Sequence, residues 1–146
     1  MFYVKEIQLK FRKRPAIGAE GIGVLKPEDV YDLVRDIRDS VVEKMMAFHL
    51  NSRNAINCVQ VVSIGTVNSA PATPVEIVRV ALLTGSTGVI LTHNHPSGDV
   101  SPSAEDKTFT HRLKEACALM DVKLLDHIIV SDSGFYSFKS SGIVDS

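Results

Sequence analysis

The sequence predicts a single α/β domain in which a mixed β-sheet is flanked by helices on both faces. Three observations carry this. Mostly apolar runs of strand length alternate with segments whose apolar residues recur at helical spacing. Turn chemistry separates them, with Pro, Gly, Asn or Ser at nearly every junction. The length of 146 residues suits one domain, long enough to bury about two-thirds of its unfolded surface around one core.

Taken in order, Ile7, Leu9 and Phe11 alternate with Gln8, Lys10 and Arg12, which predicts a half-buried strand within residues 3 to 14 whose basic outer face guards a sheet edge. Pro15 to Gly23 is glycine-rich without a dinucleotide-binding spacing and reads as a flexible loop, so residues 1–26 form an N-terminal strand and loop ahead of the main domain at 27–142. Pro27 with Glu28 and Asp29 starts a helix carrying Val30, Leu33, Val34 and Ile37 on one face. Val41 to Leu50 is an apolar run interrupted by Glu43, and the turn Asn51 to Asn54 folds it against a second strand, Ile56 to Ile64. Thr73, Pro74 and Glu76 read as a capping box opening a helix that Gly85 ends. The strand at Val89 to His93 then follows in strand-helix-strand order, which predicts a locally parallel pair with the strand at residues 56 to 64. A helix from Ser103 has Phe109, Leu113, Ala116, Cys117 and Met120 at core spacing, leaving His111 exposed. Val122 to Val130 is a buried strand, turned at Ser131 to Gly134 into a hairpin partner at 135 to 138, and residues 143–146 end the chain as a loose tail.

The net charge of −1 provides no global field for nucleic acid, leaving Lys10, Arg12, Lys13 and Arg14 as the basic cluster and weak DNA affinity at most. Cys58 and Cys117 lack metal or redox spacing and read as buried thiols in a reducing compartment. With no apolar run of membrane-spanning length and no signal-peptide pattern, the expectation is a cytoplasmic protein away from the membrane.

Chemistry concentrates in Leu91-Thr92-His93-Asn94-His95-Pro96-Ser97-Gly98-Asp99, continued to Ser103 and Asp106. In an extended strand His93 and His95 point to the same face. Asp106 falls in the first turn of the following helix, so two imidazoles and a carboxylate make a three-ligand zinc site with a fourth position left for water. Ser103 and Asp106 alone would be a helix cap. The joint spacing, however, arises by chance on the order of once in a thousand chains of this composition. Glu43 and Glu76 stand level on spacing as a general base. Asp126 and His127 interrupt an apolar strand, either as buried groups satisfied by neighbours or with His127 supporting the ligands from behind.

His93-x-His95 with Ser103 and Asp106 resembles the zinc motif of the JAB/MPN (JAMM) metallopeptidase superfamily, whose fold is cytidine-deaminase-like. The run Thr92 to Asp99, with Leu124-Leu125-Asp126-His127-Ile128-Ile129-Val130, is similar to its RadC branch. The resemblance implies one zinc per chain on His93, His95 and Asp106, with a peptide or protein substrate cleaved at an amide or isopeptide bond. It selects Glu43 as the base that takes a proton from water and passes it to the leaving amine, and Ser103 as a donor to the developing oxyanion. The chain departs from its relatives at Thr73 and Val75, which replace the histidine and arginine of their His-Pro-Arg-Glu segment, so a substrate contact through those two residues is not carried over. Two alternatives accompany the hydrolase. One is a DNA-repair-associated factor, although the 26 residues before Pro27 are too few for the helix-hairpin-helix region such proteins often add. The other is a non-catalytic MPN interaction module, a class that typically loses the metal residues retained here.

Overall fold

The computed structural model describes residues 1–12, 23–24, 26–65 and 72–144. Helices α1 (Pro27–Leu33) and α2 (Arg35–Arg38) lead into strands β1 (Lys44–Leu50) and β2 (Ile56–Ile64). Then follow α3 (Pro74–Leu83), β3 (Gly88–Asn94), α4 (Ala104–Leu119), β4 (Lys123–Ser131) and β5 (Gly134–Ser137). The strands form one mixed sheet in the order β2-β1-β3-β4-β5, in which only β3 and β4 pair in parallel.

Helices cover both faces, as the alternation along each strand requires. Ala47, Val89, Leu91 and Ile129 join Ile77, Ala81, Leu113 and Cys117 of α3 and α4 in one core. Met46, Phe48, Ile90, Ile128 and Val130 join Val30 of α1, Ile37 of α2 and Val34 between them in the other. Strand β3 is buried along its whole length, which makes it the rigid centre of the sheet.

Several sequence expectations need correction. Residues 1–12 contain no strand, and Ile7, Leu9 and Phe11 are exposed; alternation without a sheet edge to pair with does not make a strand. The loop expected at Pro15 to Gly23 lies, apart from Gly23, outside the described residues. The first helix is broken at Val34 into two short pieces. Strand β2 runs parallel to β3 but does not pair with it, because β1 is inserted antiparallel between them; the hydrogen-bonded parallel pair is β3 with β4, joined by α4. Thr73 makes no side-chain cap on α3. Met120 is half exposed, and Cys58 is only partly buried. At the other end Val144 is buried, its N–H bonded to the Phe138 carbonyl, so this part of the expected tail packs into the core. Cys117 is buried as expected, and burial pushes its thiol up to about 11, which leaves no reactive thiolate at neutral pH.

A buried carboxylate ties β4 to β5. Asp126 accepts from the His127 N–H (2.7 Å), the Lys139 N–H (2.9 Å) and the Ser137 hydroxyl (2.6 Å). Burial raises its pKa, and those hydrogen bonds together with the charge of Lys139 only partly offset this. A carboxyl raised in the fold contributes most when protonated, and loses that contribution as pH rises through its folded value. Asp126→Asn, which keeps the acceptor oxygen without the charge, is therefore expected within about 1 kcal/mol of wild type, with its relative stability improving from acid to neutral pH. Asp126→Ala orphans three donors and should cost about 2–4 kcal/mol. Denaturant melts of both variants between pH 4 and pH 8 check the order.

Candidate metal centre

The two histidines reach one face because β3 is extended there. His93 is fully buried at the end of the strand, and His95 lies just past it where Pro96 breaks the pairing. The chain then turns through Gly98, at φ 81°, a left-handed conformation suited to a residue without Cβ. It enters α4 at Ser103. There Ser103 Oγ accepts the Asp106 N–H (3.0 Å) while Asp106 Oδ2 accepts the Ser103 N–H (2.8 Å), a reciprocal cap. The cap and the ligand reading turn out to be compatible. Held by the cap, the Asp106 carboxylate sets Oδ2 3.0 Å from His95 Nε2 and Oδ1 3.2 Å from His93 Nε2, and the two Nε2 atoms are 3.0 Å apart.

Glu43 completes the group from the other side. It does not lie inside a buried run as its sequence context suggests; pairing starts at Lys44, and the Glu43 side chain is half exposed, with Oε1 3.9 Å from His93 Nε2. One donor atom from each of Glu43, His93, His95 and Asp106 lies within 4.8 Å of the others. Glu76, level with Glu43 on sequence spacing, stands outside this group in the first turn of α3. His127 is buried behind His93, with its Nε2 2.7 Å from His93 Nδ1.

Two residues that sequence reasoning passed over support the arrangement. Asn94, fully buried between the two histidines, donates to the carbonyls of Ser40 and Val42 (both 3.1 Å) and accepts the Lys44 N–H (2.7 Å). It therefore pins the segment that bears Glu43 to β3. Thr110, one turn beyond Asp106 in α4, donates to the Asp106 carbonyl and touches His127. The available signal was a polar residue on the same stripe as Leu113 and Cys117, at helical spacing.

The donor chemistry fits a cation. His95 Nδ1 lies 2.7 Å from the Asp99 carbonyl, which can only accept, so Nδ1 carries the hydrogen and Nε2 turns a lone pair toward His93 and Asp106. Burial alone would raise the Asp106 pKa, yet the proximity of His93 and the Ser103 donors hold the carboxyl below its usual range. A lone pair and a carboxylate thus converge with nothing of their own between them. Their separations of 3.0–3.2 Å approach the edge of about 3.3 Å of a tetrahedron with zinc-length bonds. In front opens a cleft of about 480 Å³, lined by Glu43, His95, Ser103 and Asp106 with Asp99 and Glu105 along it.

Residues 24–143 match the family model described as RadC-like JAB domain. The chain is 37% identical over 145 residues to a UPF0758 protein of Aquifex aeolicus, covering 97% of this chain and 63% of that protein. It is 41% identical over 148 residues to one of Desulforamulus reducens, at 97% and 65% coverage. To one of Methanosarcina acetivorans it is 42% identical over 122 residues, at 83% and 53%. The chain thus spans less than two-thirds of the length of these curated relatives.

Proposed function

Since the chain belongs to the RadC-like JAB domain family, we propose that it is a zinc-dependent hydrolase of amide or isopeptide bonds in a peptide or protein substrate. The observation that carries this reading is the convergence of His93 Nε2, His95 Nε2 and the Asp106 carboxylate beside a half-exposed Glu43 at the edge of an open cleft.

His93, His95 and Asp106 would hold the ion. Bound there, zinc supplies an electrophile for the scissile carbonyl and brings the ionisation of water toward neutral pH. Glu43 takes the proton from the attacking water and delivers it to the leaving amine; its exposure to the cleft leaves it free to reach both. The Ser103 oxygen caps α4 as an acceptor, so its hydroxyl hydrogen remains for the oxyanion that develops on the carbonyl. Asp106 keeps its charge because of the donors around it, which preserves a ligand across the neutral range.

The family's association with DNA repair suggests nucleic acid as a rival substrate. The carboxylates of Glu43, Asp99, Glu105 and Asp106 along the cleft argue against it, since they repel phosphate, and no lysine or arginine lines the cleft among the described residues. Among those residues no helix is long and apolar enough to cross a membrane. Metal analysis of the purified protein, followed by a peptide-library cleavage screen with and without zinc, tests the proposal. About one zinc per chain with zinc-dependent cleavage is the expected result, and a zinc-loaded protein that cleaves DNA but no peptide would reverse the assignment of substrate.

A further inference from the structure

Behind His93 lies a buried chain of hydrogen bonds whose direction can be worked out atom by atom. Thr110 Oγ1 is 2.6 Å from the Asp106 carbonyl oxygen and 2.6 Å from His127 Nδ1, and His127 Nε2 is 2.7 Å from His93 Nδ1. The Thr110 hydroxyl has a single hydrogen. If it pointed to His127, two acceptor oxygens would face each other at 2.6 Å with no hydrogen between them, a repulsive contact. The hydrogen therefore lies toward the Asp106 carbonyl. The Thr110 oxygen then accepts, so His127 carries its hydrogen on Nδ1 and presents a bare Nε2. That nitrogen in turn requires the hydrogen of His93 to be on Nδ1, which frees His93 Nε2 as a lone pair facing His95 and Asp106.

We propose that Thr110 and His127 are positioning residues that hold His93 in its metal-accepting tautomer. This rests on the metal-binding reading above. The relay starts from the backbone of one ligand, Asp106, and ends on the ring of another, His93, so it fixes the start of α4 and the end of β3 relative to each other. Its surroundings keep it in place. Thr110 and His127 are buried, and the His127 ring stacks on Phe138 with centroids 4.6 Å apart and planes within 8°. Water therefore has little access to replace either partner. An imidazole ligand commonly gives its second N–H to a carboxylate or carbonyl. Here it gives it to a second imidazole, which is able to accept only while Thr110 sets its tautomer.

Thr110→Val removes the hydroxyl at nearly constant shape, and Thr110→Ser restores it. Two readouts follow. In metal-free wild-type protein at pH 8, long-range proton–nitrogen correlation spectra should show His127 protonated on Nδ1 and bare on Nε2. In Thr110→Val that preference should shift toward Nε2–H, because the acceptor for Nδ1–H is gone. Zinc affinity from chelator competition should fall about 10–100-fold in Thr110→Val and stay near wild type in Thr110→Ser. Observation of His127 as the Nε2–H tautomer in wild type, or zinc affinity unchanged in a folded Thr110→Val protein, overturns the relay. A wild-type chain that takes up no zinc defeats the metal-binding reading instead, and the tautomer measurement still decides the relay.

Discussion

The His93→Ala, His95→Ala double variant is expected to emerge from purification without zinc and to show no zinc-dependent cleavage. Each Nε2 stands within 3.2 Å of the Asp106 carboxylate, so removing both leaves Asp106 and the more distant Glu43 as the remaining donors of the group. Two carboxylates on an open cleft do not compete with water for zinc as a site containing two imidazoles does. A second consequence concerns stability. A ligand that binds only the folded chain stabilises it by about 2.7 kcal/mol when present at 100 times its Kd. Wild type should therefore melt at a higher temperature with zinc than after chelation, and the double variant should melt at the same temperature in both conditions. The variant itself opens a cavity at His93, which is fully buried, so the comparison is made within each protein rather than between them. Full zinc stoichiometry in the double variant would remove the site from these residues altogether.

The histidine pair and the Ser103 to Asp106 spacing were legible because both depend on local periodicity. Two residues along a strand return to one face, and three residues into a helix return to its cap, whatever the rest of the chain does. Strand order was not legible in this way. That β1 sits between β2 and β3 is a matter of which strand reaches which edge, and neither the apolar run at Val41 nor the one at Val89 encodes it. The same limit explains the N-terminus. Ile7, Leu9 and Phe11 have the period of a strand, but period does not supply a partner, and the three side chains stay exposed. Glu43 was located through family resemblance, while its environment was misread because the first paired residue is Lys44 and not Val41. Asn94, although inside the Thr92 to Asp99 run, and Thr110 have no role that the sequence alone assigns. Their importance appears only when two elements distant in sequence meet, β3 with the segment at 40–44 and α4 with β4.

Glu43→Gln is expected to keep the fold and the zinc while lowering turnover about a hundredfold or more. The carboxylate is half exposed, and its separation of 3.9 Å from His93 Nε2 exceeds a hydrogen bond, so no buried partner is orphaned by the change. Surface substitutions of this kind usually stay within about 0.5 kcal/mol. The backbone at this position is fixed independently, by the Gly65 N–H on the Glu43 carbonyl and by Asn94 on either side. Glutamine preserves the shape and loses the ability to accept a proton. Proton transfer by a placed side chain contributes about 10²–10⁴ to rate, which is about 2.7–5.4 kcal/mol of barrier. The ion itself should remain, because His93, His95 and Asp106 are untouched. Asp106→Asn reverses the pattern: it removes the charge that faces both imidazoles and should weaken zinc binding first, with cleavage lost in consequence. Zinc content, melting temperature and single-turnover cleavage of the two variants separate these roles. Loss of zinc from Glu43→Gln would make Glu43 a ligand, and undiminished cleavage by that variant would require the proton to travel through another group.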